Sequence, residues 1–150
     1  MNIAYFLIPK SSVAYLYDDF TFRQGLEKMR YHGYTAIPVI SRSGQYVGSV
    51  SEGDFLWKLL SGDQPQDALL SMKETEPLKV RDILRPESYP AVRITVTMEE
   101  LLQNAMNMNF VPVVDDLDNF IGIVTRKDII RYFAARGSAE DSPLLLRQRA

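Results

Sequence analysis

At 150 residues, with 46% hydrophobic and 24% charged residues, the chain has the length and composition of one compact globular domain. A formal net charge of −2 and a pI near 5.4 provide no broad basic surface for nucleic acid, so any anion site must be local. The absence of cysteine excludes a disulfide framework, a thiol nucleophile and a cysteine-ligated metal.

In chain order, the apolar run Ile3 to Ile8 is cut off by Pro9 and is too short for a signal-peptide core or a membrane span. The expectation is a soluble, cytoplasmic protein. Phe22, Leu26 and Met29 have helical spacing and end at Gly33, a C-cap. His32, beside that glycine, reads as a partner of the helix C-terminus rather than a catalyst. Two β-rich runs, Ala36 to Ile40 and Tyr46 to Val50, joined by "SRSG", form a hairpin signal. A helix over Phe55 to Leu60 follows, with Trp57 read as core or subunit contact. Residues 61–80 read as linker, with one helical turn at Ala68 to Met72.

"KVRDIL" then leads into a second series. Met98, Leu101, Leu102 and Ala105 mark a helical face, Val111 to Val114 and Phe120 to Val124 a hairpin, and Ile129 to Ala134 a helix. Asp115, Asp116 and Asp118 lack the spacing of a calcium loop and read as a solvated turn. Gly137 reads as a helix stop, followed by a tail whose apolar cluster, Leu144 to Leu146, is expected to be mobile or to dock on a partner subunit.

The two series are copies. Pro38 and Pro112, Gly48 and Gly122, Ser51 and Thr125, and Asp54 and Asp128 are each 74 residues apart. Upstream the spacing becomes 76, matching Phe22 to Met98 and Leu26 to Leu102. "GSVSEGD" and "GIVTRKD" stand where a helix is about to begin, and Ser51 with Asp54, or Thr125 with Asp128, is also a capping box. Capping and ligand binding both remain open for these residues.

"AIPVI" and "FVPVV", each followed by Gly-x-x-Ser/Thr-x-x-Asp, resemble a tandem pair of CBS domains, a Bateman module, from about Pro9 to Arg136. The resemblance implies an α+β fold of two pseudo-twofold-related βαββα repeats packed sheet to sheet. It divides the chain into repeat 1 with the N-terminal strand (1–60), linker (61–80), repeat 2 (81–136) and tail (137–150). It also implies two clefts that commonly bind adenine nucleotides, and a homodimer. Carried over, cleft B joins Thr125, Arg126, Lys127 and Asp128 to Val13, Ala14, Tyr34, Thr35, Ala36 and Pro38. Cleft A, expected to be weaker, joins Ser51 and Asp54 to Tyr89, Pro90, Met108, Asn109 and Phe110.

The residue chemistry suits these roles. Tyr34, Thr35, Ala36, Val13 and Ala14 supply apolar faces and backbone groups for an adenine ring. Asp128 is a two-oxygen acceptor suited to a ribose cis-diol, and Thr125 with the first-turn N–H groups suits a phosphate, with charge from Arg126 and Lys127. In cleft A, Glu52 and Gly53 replace that basic pair, so a carboxylate there would repel a phosphate, and Phe110 replaces Ala36 and takes space. "GYTAIPV", with "VA" about twenty residues before it, also resembles the small stand-alone CBS proteins of Gram-positive bacteria, some of which bind cyclic di-AMP; the cis-diol argument ranks AMP, ADP or ATP first and cyclic di-AMP, whose 3′-oxygens are esterified, a close second.

The expected function is a regulatory nucleotide sensor signalling to an unidentified protein, with a ligand-free dimerisation scaffold as the alternative. No nucleophile-base-orienter set, metal cluster or P-loop is visible, so no catalytic residue, metal or catalytic cofactor is assigned, and no nucleic-acid or membrane partner is expected.

Overall fold

The computed structural model describes residues 2–60, 72–85 and 88–140. Its strands are β1 (Ile8–Pro9), β2 (Leu16–Tyr17), β3 (Ala36–Ile40), β4 (Tyr46–Ser51), β5 (Val92–Arg93), β6 (Phe110–Val114) and β7 (Phe120–Thr125). The helices are α1 (Phe22–His32), α2 (Glu52–Leu59), α3 (Met72–Thr75), α4 (Met98–Ala105) and α5 (Arg126–Glu140). The mixed fold of two repeats and two sheets follows the expected α+β plan.

Local chemistry sets the element ends. Thr21 and Gln24 form a capping box at the start of α1, and Gly33, at φ 68°, closes it in the left-handed region. Thr97 caps α4 through its bond from the Glu100 N–H. In each copy a short parallel strand flanks an antiparallel hairpin: β2 beside β3–β4, and β5 beside β6–β7. The hairpin tips also meet across the repeats, where Tyr46 N–H donates to the Asp118 carbonyl at 3.1 Å and Phe120 N–H to the Gly44 carbonyl at 2.9 Å.

The leading segments depart from the expected division. β1 pairs antiparallel with β7, making a β1-β7-β6-β5 sheet, so the N-terminal strand belongs to the second repeat's sheet. Ile3 and Phe6 lie in the second repeat's core with Val92, Leu101, Val111 and Val124. Reciprocally, the 3₁₀ turn Val80–Ile83 does not simply lead into the second copy. Val80 and Ile83 fill the first repeat's core beside Leu16, Phe22, Val50 and Phe55, and Val80 N–H donates to the Phe20 carbonyl at 2.8 Å. The physical reason is burial: each helix-and-hairpin unit leaves an apolar flank open, and only the other copy's leading segment covers it.

The expected stop at Gly137 is also corrected, because α5 continues through it to Glu140; a glycine inside a helix costs only about 1 kcal/mol relative to alanine and does not enforce an end. The helical turn expected at Ala68 to Met72 lies mostly outside the described residues, and α3 begins at Met72. Leu144 to Leu146 lie outside them as well. The outer helix faces carry Leu56, Trp57 and Leu60 in the first repeat and Met106, Ile130 and Phe133 in the second, all exposed.

Gly122 is where β1 crosses β7. A Cβ there would collide with the Ile8 carbonyl oxygen and meet Leu7 Cδ1 at 2.9 Å, whereas one on Gly48 would meet only the flexible Leu84 side chain, at 3.0 Å. Chemical denaturation of Gly122→Ala is therefore expected to show a loss of about 3 kcal/mol, exceeding that of Gly48→Ala, because backbone cannot step aside as a leucine can.

Candidate functional site

One cleft of about 440 Å³ opens between the repeats. Strand β3 and its approach supply Tyr34, Thr35, Ala36 and Pro38, and the segment before β2 supplies Val13 and Ala14. From the second repeat come Thr125 and Lys127. Eight of the ten residues expected in cleft B thus border one space, the exceptions being Arg126 and Asp128. Its lining is mainly apolar, with Lys127 as the charged member.

The switch from strand to helix after Thr125 explains this selection. Along β7 alternate side chains share a face, so Ile123 and Thr125 look into the cleft together. Thr125 Oγ1 accepts from the Asp128 N–H at 3.2 Å and so holds the first turn of α5. Lys127, exposed on that turn, lines the cleft beside the positive end of the helix.

Arg126 is not brought to the cleft. Its Nε donates to the Ala105 carbonyl at 2.8 Å and its Nη2 to the Met106 carbonyl at 3.4 Å. A cation there satisfies carbonyls left open at the end of α4 and faces the negative end of that helix, which accounts for a basic residue in an otherwise unfavourable first turn. The Asp128 carboxylate likewise lies outside the lining, 4.0 Å from Arg131 Nη1. Glu52, at the position equivalent to Arg126, points into the groove between α1 and α2 with Leu26, Met29 and Phe55, so the repulsion expected from it in cleft A is absent. The contrast between the copies at the cleft lies instead in Gly53 against Lys127.

A family model described as the CBS domain matches residues 7–61 and 80–135. The chain belongs to the CBS-domain family. Among solved structures, this CBS pair is similar to Listeria monocytogenes CbpB in complex with cyclic di-AMP, at 23% identity over 91% of this chain and 98% of that one, with a TM-score of 0.79. It is similar to a CBS-domain protein from Streptococcus pneumoniae at 26% identity, 88% and 86% coverage, and a TM-score of 0.78. In sequence, an uncharacterized protein of Methanocaldococcus jannaschii is 25% identical over 140 residues, 77% of this chain and 82% of its own length. Against an uncharacterized protein of Methanopyrus kandleri, 28% identical over 108 residues, the match spans about half of the relative, 49%.

The residues expected in the second CBS cleft are dispersed or occupied. Ser51 and Asp54 form a complete capping box on α2, and Asp54, with 2% of its side chain exposed, also holds Arg85 Nε at 2.7 Å. Tyr89 stacks on Phe110 at 5.5 Å with 17° between ring planes, and Met108 is packed in the second repeat's core. Pro90 is exposed. Asn109 and Phe110 also border the open cleft.

Ile8, Ser12, Gly33 and Ile123 also line that cleft and were not anticipated. Strand alternation from Thr125 would have found Ile123, and adjacency to Val13 or Tyr34 would have found Ser12 and Gly33. Ile8 arrives through the non-local pairing of β1 with β7, which no local pattern announces.

Arg126 and Lys127 therefore separate in experiment. Arg126→Ala is expected to cost about 1–3 kcal/mol in denaturant unfolding through lost charged hydrogen bonds, with nucleotide affinity retained. Lys127→Ala, at an exposed position, is expected to leave stability within about 0.5 kcal/mol while weakening binding of a phosphate ligand measured by calorimetry.

Proposed function

We propose that this CBS pair is a regulatory sensor that binds an adenine nucleotide in cleft B. The observation that carries the reading is the composition of the 440 Å³ cleft, which sets apolar walls from both repeats against a threonine, a lysine and a helix N-terminus at one end. A flat base with a phosphate on one side matches that division. Tyr34, Ala36, Val13 and Ala14 would hold the base, and Thr125 with Lys127 the phosphate.

Charge narrows the class. At 4 Å and an effective dielectric of 20, a charge pair interacts by about 4 kcal/mol, and exposure of Lys127 reduces this further. One exposed ammonium and a helix end balance a phosphodiester or monophosphate better than a triphosphate. The Asp128 carboxylate, turned toward Arg131, removes the cis-diol contact that favoured linear nucleotides. Cyclic di-AMP therefore moves ahead of AMP, with ATP last, an order supported by the cyclic di-AMP complex of the similar Listeria monocytogenes CbpB. A ligand touching both repeats biases their relative arrangement if it binds one arrangement more tightly, and a partner protein would read the difference.

Thermal unfolding and calorimetry with cyclic di-AMP, AMP and ATP test this reading. Cyclic di-AMP at one hundred times its dissociation constant is expected to add about 2.7 kcal/mol of stability, and Thr125→Val with Lys127→Ala to abolish the gain. Unchanged melting and no heat with any of the three would leave the ligand-free scaffold as the reading.

A further inference from the structure

Resting on the reading of cleft B as a nucleotide site, we propose that cleft A is a closed counterpart in which the side chain of Tyr89 takes the place of the base, so that each chain binds one nucleotide rather than two.

Strand register puts the two clefts in correspondence residue by residue. Ala36 lies opposite Ser51 and Phe110 opposite Thr125, which makes Ala36 and Phe110 equivalent. Leu16 pairs with Val39 and Val92 with Val113, so Val13 and Tyr89 occupy the same place ahead of their strands, with Ser12 and Ser88 just before them. The close approaches of Leu7 to Gly122 and of Leu84 to Gly48 make the next residues, Ile8 and Arg85, equivalent. Cleft B is thus bordered by Ile8, Val13 and Ala36 where cleft A has Arg85, Tyr89 and Phe110.

Each of the three exchanges fills or neutralises the space. The Tyr89 and Phe110 rings lie 5.5 Å apart and 17° from parallel, the arrangement a nucleobase adopts on an aromatic side chain. Tyr89 is also tied down. Its carbonyl accepts from the Tyr46 hydroxyl at 2.7 Å, and the Ser49 hydroxyl, 2.8 Å from that same phenol, must then be the donor to it. Burial pushes the Tyr46 phenol well above its ordinary pKa, so the donor stays protonated at any physiological pH. Arg85 takes the Asp54 carboxylate at 2.7 Å, so that both charges beside this cleft are already paired.

An orphan polar group identifies the same place. Ser88 Oγ is buried with no hydrogen-bond partner among the described residues, whereas its counterpart Ser12 borders the open cleft. Buried hydroxyls are nearly always paired, so Ser88 marks a spot shaped for a polar group that an aromatic ring does not provide.

Titration of the whole chain with cyclic di-AMP and with AMP, read by calorimetry, tests the assignment. Wild type is expected to bind one equivalent. Tyr89→Val, which copies Val13 and replaces no residue that lines cleft B, is expected to bind a second, with the base stacking on Phe110. Two equivalents in wild type, or one in a Tyr89→Val variant that still unfolds cooperatively, overturns the proposal while the reading of cleft B stands.

A second measurement needs no nucleotide. p-Cresol, the free tyrosine side chain, is expected to raise the melting temperature of Tyr89→Ala and not of wild type. If no nucleotide binds at all, the reading of cleft B fails, and the p-cresol result alone decides: rescue supports a Tyr89-filled cleft, and no rescue overturns it.

Discussion

The reciprocal crossing of the two leading segments is the constraint on which the rest of the molecule depends. Ile3 and Phe6 complete the core of the second repeat, and Val80 and Ile83 complete that of the first. Burying an aliphatic or aromatic side chain contributes roughly 1.5–3 kcal/mol, so neither core keeps its full driving force without a segment from the other copy. The crossing also creates the cleft. β1 lies along β7, and the chain then turns through Ser12, Val13 and Ala14 before reaching its own repeat at β2. The cleft is the space between a sheet and the segment that bridges to the next one.

The helix starts within that framework carry two duties that duplication allowed to separate. In the first copy, Ser51 and Asp54 cap α2 reciprocally, and Asp54 is committed to Arg85 as well. A buried carboxylate with its lone pairs already used is a structural element, and removing its cation would leave a costly uncompensated charge. In the second copy, Thr125 caps through its hydroxyl, and the Asp128 carboxylate lies 4.0 Å from Arg131, its one ion-pair partner among the described residues. Capping is thus satisfied in both, and of the two capping hydroxyls it is that of Thr125 whose residue borders the open cleft.

Much of this was legible in the sequence because it is local. Hydrophobic period, Gly33 as a cap, the Pro-Val strands and the common spacing of the repeats specified the hairpins, α1 and α4 almost to the residue, whereas α2 and α5 begin three residues ahead of the expected Phe55 and Ile129. Tyr34, Thr35, Ala36, Thr125 and Lys127 were implied by the CBS resemblance that those strands carry, and they border the cleft. What was not legible depends on where distant backbone goes. Arg126 reads as a phosphate ligand until α4 is seen to end against it, with Ala105 and Met106 presenting unpaired carbonyls. Glu52 reads as a repulsive charge until its helix places it between α1 and α2. A charged residue at either of these equivalent positions is read correctly only once the neighbouring helices are placed.

The cleft is not mechanically isolated from the helical surface. Gly33 and Tyr34 border both the cleft and the groove between α1 and α2, and Tyr34 stacks on His32 at 5.3 Å at the end of α1. The first N–H of α2, on Glu52, donates to the Thr35 carbonyl at 2.9 Å, so the strand that borders the cleft also positions the start of that helix. The equivalent bond, from Arg126 N–H to the Asn109 carbonyl at 2.9 Å, ties α5 to the opposite wall. A displacement of residues 33–35 or of 109 by a bound ligand is therefore shared by both C-terminal helices of the repeats. Those helices carry Leu56, Trp57, Ile130 and Phe133 on their exposed faces, the surface that the proposed signalling to a partner would use.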